Sequence, residues 1–291
     1  MSITLYLLNK KGYEVLNALT TSEKYLKSID LVVGAKDEGN DEDFYDEIRS
    51  LCETYNINYI DRNNKFAAKS KYSLAIGWRW LINDEKNLIV IHDCFLPKYR
   101  GFSPIVNMLI NGENYLGATA IWATDKMDEG NILFQKKVNI SYPLKIQKAI
   151  EIIAGLYVEI VLKMMNLILE NQKLKGVPQI ANDATYSIWR NEFDYFIDWT
   201  KDASEIVRFI DAVGYPYEGA KTKTENGEVI RVIESAEVNN IISEIYAPGK
   251  LLMFDDKDPV ILCGKNAIKL LKVLDINNEP FLFKKFRTRL K

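Results

Sequence analysis

The chain has 291 residues, is 47% hydrophobic and 27% charged, and sets 38 basic against 40 acidic side chains for a net charge of −2. This length supports one large domain or two ordinary ones with a sizeable core, and the balanced charge offers no bulk field for nucleic acid or an anionic membrane. The three cysteines, Cys52, Cys94 and Cys263, are few, odd in number and far apart. They point to a reducing compartment and away from a disulfide framework or a zinc site.

In chain order, residues 3–8 read as a strand, 13–19 as a helix, 31–33 as a strand and 43–55 as an amphipathic helix. Residues 57–60 read as a short strand, and 72–76 as another that runs into Gly77-Trp78-Arg79-Trp80. Residues 88–91 form a further strand, 104–111 a helix and 118–123 a strand. This βαβ rhythm predicts an α/β fold with a doubly wound, mostly parallel sheet. The first loop, Asn9-Lys10-Lys11-Gly12, is not a G-x-G-x-x-G turn, so a dinucleotide site gains no support. A long helix covers 144–174 and is stopped by Gly176 and Pro178. Its most apolar part, 146–169, is interrupted by Glu151, Glu159 and Lys163, which predicts a buried helix and no membrane span. Residues 1–6 carry no basic segment leading into an apolar one, so the expected location is the cytoplasm. Beyond the long helix, apolar-alternating runs at 229–233, 250–253, 260–263 and 267–273 are punctuated by Gly227, Pro248-Gly249 and Gly264. They predict a small β-barrel. The domain boundary falls near 178–186, giving 1–180 and 181–291.

The chain has one histidine, in the stretch Ile91-His92-Asp93-Cys94-Phe95-Leu96-Pro97-Lys98-Tyr99-Arg100-Gly101. A lone histidine is commonly a surface or capping residue, but this one sits at the carboxyl end of a strand, where open α/β sheets place their chemistry. An imidazole there is a natural general acid or base. Cys94 as a nucleophile is disfavoured, because a Cys–His enzyme usually draws its two groups from distant segments. A second polar cluster, Met127-Asp128-Glu129-Gly130-Asn131-Ile132, follows the strand at 118–123 and is expected on another loop at the sheet's carboxyl edge. An Asp beside the single His would orient the ring and raise its basicity.

Ile91-His92-x-x-x-Leu96-Pro97-x-Tyr99-Arg100-Gly101, Asn111-Gly112-Glu113, Gly117-x-Thr119 and Asp128-x-Gly130-x-Ile132 together resemble the folate-dependent N-formyltransferases. That family includes methionyl-tRNA formyltransferase and the sugar-nucleotide N-formyltransferases. The likeness continues through Tyr186-x-x-Trp189-Arg190-x-Glu192-x-Asp194-x-x-Ile197-Asp198-Trp199 and Tyr215-Pro216-Tyr217-x-Gly219-Ala220. It implies a Rossmann-like catalytic domain over 1–180 and a C-terminal OB-like β-barrel over 181–291. It also implies transfer of the formyl group of N10-formyltetrahydrofolate to a primary amine, without a metal. His92 would accept the amine proton or help stabilise the tetrahedral oxyanion, and Asp128 would hold His92. The folate would lie against Gly77, Trp78, Arg79, Trp80, Leu81 and Ile82 and the loop containing Thr124, Met127 and Asp128. The acceptor would meet Asn9, Lys10 and Gly12 and the stretch Tyr99, Arg100, Gly101, Phe102, Ser103 and Pro104, where a Lys or Arg can meet a diphosphate. One position departs from the family: an Asn usually stands two residues before the His, and here it is Val90. Loss of one oxyanion donor typically costs about 3–4 kcal/mol.

The acceptor stays open between two classes. Residues 184–291 hold 16 basic and 17 acidic side chains, a net of −1, whereas phosphate contacts dominate affinity for RNA. This favours a nucleotide-linked amino sugar, a UDP- or dTDP-linked amino-dideoxyhexose of cell-envelope (lipopolysaccharide) or flagellar glycan synthesis. Methionyl-tRNA is the alternative, and a catalytically impaired folate-binding relative is the third reading. The expected partners are the sugar nucleotide, no nucleic acid and no membrane, with homodimerisation left open.

Overall fold

A computed structural model describes every residue except 1, 39, 41, 68, 83–86 and 284. The chain divides into two compact units. The first gathers Met1–Ile105, Tyr115–Asn139 and Ala149–Ile188, and the second gathers Val106–Asn114, Ile140–Lys148 and Trp189–Lys291.

The first unit is built on β1 (Ile3–Leu7), β2 (Ile29–Gly34), β3 (Tyr59–Asp61), β4 (Tyr72–Ile76) and β5 (Leu88–His92), with helices α1 (Asn9–Thr20), α2 (Glu23–Leu26) and α3 (Tyr45–Thr54) between them. After β5 come β6 (Arg100–Gly101), α4 (Pro104–Ile110), most of which belongs to the second unit, β7 (Tyr115–Trp122), β8 (Ile132–Asn139), α5 (Ile146–Leu169) and β9 (Tyr186–Ser187). One seven-stranded sheet has the order β3-β2-β1-β4-β5-β7-β8. The pairs among β1 to β5 are parallel, while β5–β7 and β7–β8 are antiparallel. The α/β rhythm and parallel-dominated sheet agree with the sequence; the antiparallel edge does not follow from it.

The strands form where short apolar runs become doubly buried. β1 is buried at every position. Helix α3 turns Ile48 and Cys52 inward, one helical turn apart. Helix α5 is long and apolar enough to span a membrane by composition. It buries Ala149, Ile153, Tyr157, Ile160, Met164 and Ile168, the stripe of a core helix. Helix α1 starts at Asn9, so residues 9–12, expected as a loop, form its first turn. Leu8, the extended N-cap, makes no side-chain cap hydrogen bond; the Asn9 side chain instead accepts the Lys11 amide at 3.2 Å.

The second unit carries β10 (Ala220–Lys223), β11 (Val229–Val238), β12 (Leu251–Asp255), β13 (Asp258–Leu262), β14 (Ala267–Leu274) and helix α6 (Ala203–Val213). The strands form a five-stranded antiparallel sheet in the order β10-β11-β14-β13-β12. Helix α6 buries Ile206, Ile210 and Val213, and the Asp202 amide at its start donates to Glu205 Oε2 at 3.2 Å.

Candidate active site

Successive side chains alternate along β5, so Val90 and His92 share one face and Ile91 and Asp93 the other. Val90 packs against a cluster of Tyr6, Val33, Ala75 and Leu88, together with Trp78, Ile82 and Ala123. The His92 ring donates from Nε2 to the Tyr99 carbonyl at 2.8 Å. A carbonyl only accepts, so this bond sets the hydrogen on Nε2 and leaves the Nδ1 lone pair free in the neutral ring. Nδ1 lies 3.7 Å from Asp128 Oδ2, and the two side chains are 10% and 14% exposed. The same carboxylate oxygen accepts the Gly101 amide at 2.8 Å.

Asp128 arrives by a route different from the one expected. β7 runs antiparallel to β5, with His92 opposite Thr119 and Ile89 opposite Trp122. The end of β7 therefore lies at the amino end of β5, and the following loop must double back along the sheet to reach His92. Two features make that return tight. Asp128 adopts φ 53°, a left-handed conformation that Asp tolerates better than most residues. At Gly130 a Cβ would run into the Trp122 carbonyl.

On the opposite face, Asp93 is held by two groups that sequence pattern did not reveal. Lys11 Nζ donates to Asp93 Oδ2 at 2.6 Å, and Tyr157 Oη to Asp93 Oδ1 at 2.5 Å. Tyr157 Oη also lies 2.7 Å from the Ile91 carbonyl. Burial opposes the Asp93 charge, but the Lys11 ammonium, the two hydrogen bonds and nearby His92 outweigh it and hold the carboxyl below the ordinary carboxylate value. Burial and then Asp93 push the Tyr157 phenol well up. The only signal available for Tyr157 was a phenol on the inward stripe of an apolar helix, where its hydroxyl needs a partner.

Around these groups the turn after β5 is tied down from several directions. The Thr119 hydroxyl donates to the Cys94 carbonyl at 2.7 Å and accepts the Leu96 amide at 3.1 Å. β6 pairs in parallel with β9, and the Tyr99 amide donates to Thr185 Oγ1 at 2.9 Å. Cys94 is buried, and burial, then Asp128 and Asp93, raise its thiol well above the usual value, a setting for an inert thiol.

The expected folate residues are partly gathered. Trp78 meets Tyr6 at 5.3 Å and Trp80 at 5.0 Å between ring centroids, both edge to face. Arg79 pairs with Asp37 at 2.6 Å, and Arg62 lies over Trp80. Gly77, at φ 65°, lies where a Cβ would approach the Leu8 carbonyl to 2.8 Å. Ile82 joins the Val90 cluster, whereas Leu81 is 93% exposed. Thr124 and Met127 are exposed on the returning loop. Among the expected acceptor residues, Asn9 adjoins Gly77, and Lys10 faces Glu151 at 3.7 Å. Gly12 lies against Leu7. Arg100 is 4% exposed, with its guanidinium bonded to Gln179 and near Glu129. Phe102 and Ser103 are more open, and Pro104 begins α4 as a buried residue. Among the described residues, no group of three or more His, Cys, Asp or Glu is arranged to hold a metal ion.

An α/β sheet that brings one imidazole and one carboxylate together at a strand end has the form of an enzyme's site. Residues 40–153 match the formyl transferase family, and residues 191–286 match the formyl transferase C-terminal domain. Methionyl-tRNA formyltransferase of Caldanaerobacter subterraneus subsp. tengcongensis is 26% identical over 281 residues, covering 91% of this chain and 85% of its own. The structure of WlaRD, a sugar 3N-formyl transferase in the presence of dTDP and 5-N-formyl-THF, superposes with a TM-score of 0.72 at 19% identity, over 98% of both chains. An N-formyltransferase from Helicobacter canadensis, complexed with folinic acid and dTDP-3-aminofucose, gives a TM-score of 0.70 at 16% identity, over 97% of this chain and 100% of that one. The chain belongs to the formyl transferase family.

Two predictions concern the scaffold of the site. Lys11→Met leaves Asp93 buried without its cation and should destabilise the protein by about 3–5 kcal/mol at pH 7. In the wild type the folded Asp93 value lies below the unfolded one of about 3.9, so its stabilisation is present above that value and is lost as pH falls through the folded one. In the variant, burial favours the neutral acid. The gap in unfolding free energy between the two proteins should therefore narrow from pH 7 toward pH 4; a constant gap in denaturant titrations would contradict the pairing. Gly130→Ala should force the Asp128 turn open and lower formyl transfer at least tenfold, read by kinetics beside a melting curve that checks folding.

Proposed function

We propose that this protein transfers the formyl group of N10-formyltetrahydrofolate to the primary amine of a nucleotide-linked amino sugar. The observation that carries the reading is the His92–Asp128 pair at the end of β5, in a chain of the formyl transferase family. The folate supplies an activated formyl carbon. Its flat pterin suits the aromatic group of Tyr6, Trp78 and Trp80, where the buried Trp78 Nε1 has no hydrogen-bond partner among the described residues. A buried donor without a partner is uncommon and fits a slot completed by a ligand.

In this reading the amine nitrogen attacks the formyl carbon and His92 Nδ1, the nitrogen with the free lone pair, takes the proton released; the bond between the formyl carbon and N10 then breaks, and the proton passes to N10 of the leaving tetrahydrofolate. Between those steps the imidazolium is held between the Tyr99 carbonyl on Nε2 and the Asp128 carboxylate on Nδ1. The Tyr99 carbonyl orients the ring and fixes its tautomer, and the Asp128 carboxylate stabilises the imidazolium that forms. Val90 offers no hydrogen bond to the developing oxyanion, and with both imidazolium N–H groups engaged His92 stabilises that oxyanion through its charge alone.

A sugar acceptor is supported by residues 184–291, with 16 basic and 17 acidic side chains. It is further supported by the pairing of cations near the site: Lys11 with Asp93, Arg79 with Asp37 and Arg100 with Glu129. The acceptor is placed beside Asn9, Lys10, Phe102 and Ser103, with Arg100 serving the loop itself. The C-terminal sheet is read as the OB-like module of the family. A methionyl-tRNA acceptor is the second reading, favoured by the curated relative's name.

The deciding experiment incubates the protein and N10-formyltetrahydrofolate with a panel of UDP- and dTDP-linked amino sugars and with methionyl initiator tRNA, and follows the mass of an added formyl group. Formylated sugar is expected. Steeply salt-dependent tRNA binding with formylated methionine would overturn the sugar reading, because tRNA affinity rests on phosphate contacts. His92→Ala should lower turnover by at least about 10²–10⁴-fold, and near-wild-type rates in the pure variant would sink the assignment. Val90→Asn should raise the rate if the formyl oxygen points toward residue 90. An unchanged rate in a stably folded variant would place that oxygen elsewhere.

A further inference from the structure

We infer that Gln179 is a positioning residue that holds Asp128 against His92; this rests on reading His92 and Asp128 as the reacting pair. Gln179 lies on the segment that returns after α5. It is aligned there by reciprocal backbone hydrogen bonds between Val177 and Ile132, both 2.8 Å. Its amide nitrogen donates to the Asp128 carbonyl at 2.6 Å and to the Gly130 carbonyl at 2.8 Å. Its amide oxygen accepts from Arg100 Nε at 3.1 Å and Nη2 at 2.8 Å. Both hydrogens and both lone pairs of one side-chain amide are thus engaged.

The contacts close a circuit through the site. Arg100 precedes Gly101, whose amide holds Asp128 Oδ2 at 2.8 Å. Gln179 holds the backbone of the same Asp128 while gripping Arg100. The two loops that carry the His92 partner carbonyl and the carboxylate are therefore joined by one amide and one guanidinium. Arg100 Nη1 also faces Glu129 at 3.3 Å, which fixes the guanidinium from its other side. The Asp128 turn needs such support. Its left-handed φ is unfavourable for a residue with a Cβ, and two carbonyls drawn onto a single donor group impose the required curvature. Free of Gln179, the turn can relax and carry the carboxylate away from a ring that it meets at 3.7 Å.

The single histidine makes the test direct, because the imidazole nitrogen signals in an NMR spectrum belong to His92 alone. Three single variants are compared with wild type at fixed pH: Asp128→Asn, Gln179→Leu and Gln179→Glu. Gln179→Glu keeps an acceptor for Arg100 but turns the two donations into repulsion. Both Gln179 variants should displace the His92 ring 15N shifts in the direction seen for Asp128→Asn, by at least half its extent. In an Asp128→Asn background, Gln179→Leu should add no further displacement. With an acceptor that turns over, kcat should fall about 10–100-fold, the scale seen when a partner that orients a catalytic ligand is lost. The ring signals need no acceptor, so failure of the proposed reaction leaves this result readable. Wild-type ring signals in a folded Gln179 variant would overturn the inference, as would additive displacements in the double variant. If Gln179→Leu does not fold, Gln179→Glu decides by the same comparison.

Discussion

The antiparallel run of β7 beside β5 is the constraint on which the site depends. In a wholly parallel sheet, a loop after a neighbouring strand would deliver its side chains beside the carboxyl end of β5 without further device. Here β7 ends on the far side, opposite Ile89. The acid partner of His92 must therefore be brought back by a folded loop, and a loop of this kind has no ladder of its own to fix it. Its rigidity is borrowed: a left-handed aspartate, a glycine against the Trp122 carbonyl, and hydrogen bonds from Gly101 and Gln179. The reversal explains why so many polar side chains converge on one short turn.

The alternation of β5 divides the remaining work between two faces. One face carries Val90 against the aromatic cluster of Tyr6 and Trp78 and His92 to the Tyr99 carbonyl and Asp128. The other carries Ile91 and Asp93 toward α5, where Tyr157 meets both the Ile91 carbonyl and the Asp93 carboxylate. Residues 91 and 93 flank His92 directly, so the single phenol proton, donated to Asp93, ties α5 to the residue next to the imidazole while the Ile91 carbonyl lies close by. Lys11 completes the arrangement by neutralising Asp93. A buried ion pair of this kind contributes little to net stability against apolar alternatives, but its loss leaves a charge stranded beside the histidine.

What was legible in the sequence follows from range. β1, β4 and β5 were visible because short apolar runs bounded by polar residues suit a sheet covered on both faces, and α3 because Ile48 and Cys52 repeat at helical spacing. The His92 loop was visible because its residues are contiguous. β8 was missed because Gln135, Lys136 and Lys137 give it the composition of an exposed segment, as befits an edge strand that resists further pairing. The short amphipathic helix α6 was missed among strand-like runs. The first turn of α1 was read as a loop because Asn9, Lys10, Lys11 and Gly12 have the composition of a turn. The supports of the site joined positions 82, 64 and 51 residues apart, Lys11 with Asp93, Tyr157 with Asp93 and Gln179 with Asp128. No local period encodes such pairs; they exist only once the sheet order is known.

The same wiring bears on what kind of acceptor the first unit suits. Cations that a linear reading offers to a phosphate are engaged within the unit: Lys11 is buried on Asp93, and Arg100 is 4% exposed and bound to Gln179. Drawing either one to a ligand would strand a buried acid or release the Asp128 turn, so each is poorly suited to the role. Lys10 differs, since its contact with Glu151 is long, at 3.7 Å, and both side chains are partly exposed. Exposed pairs of that kind contribute little and exchange readily for a stronger anion. A single exchangeable cation such as Lys10 can hold a compact anion, whereas an extended polyanion needs a row of them. For the proposed sugar acceptor, the engaged cations of the first unit and the near-neutral charge of the C-terminal residues are thus two separate supports.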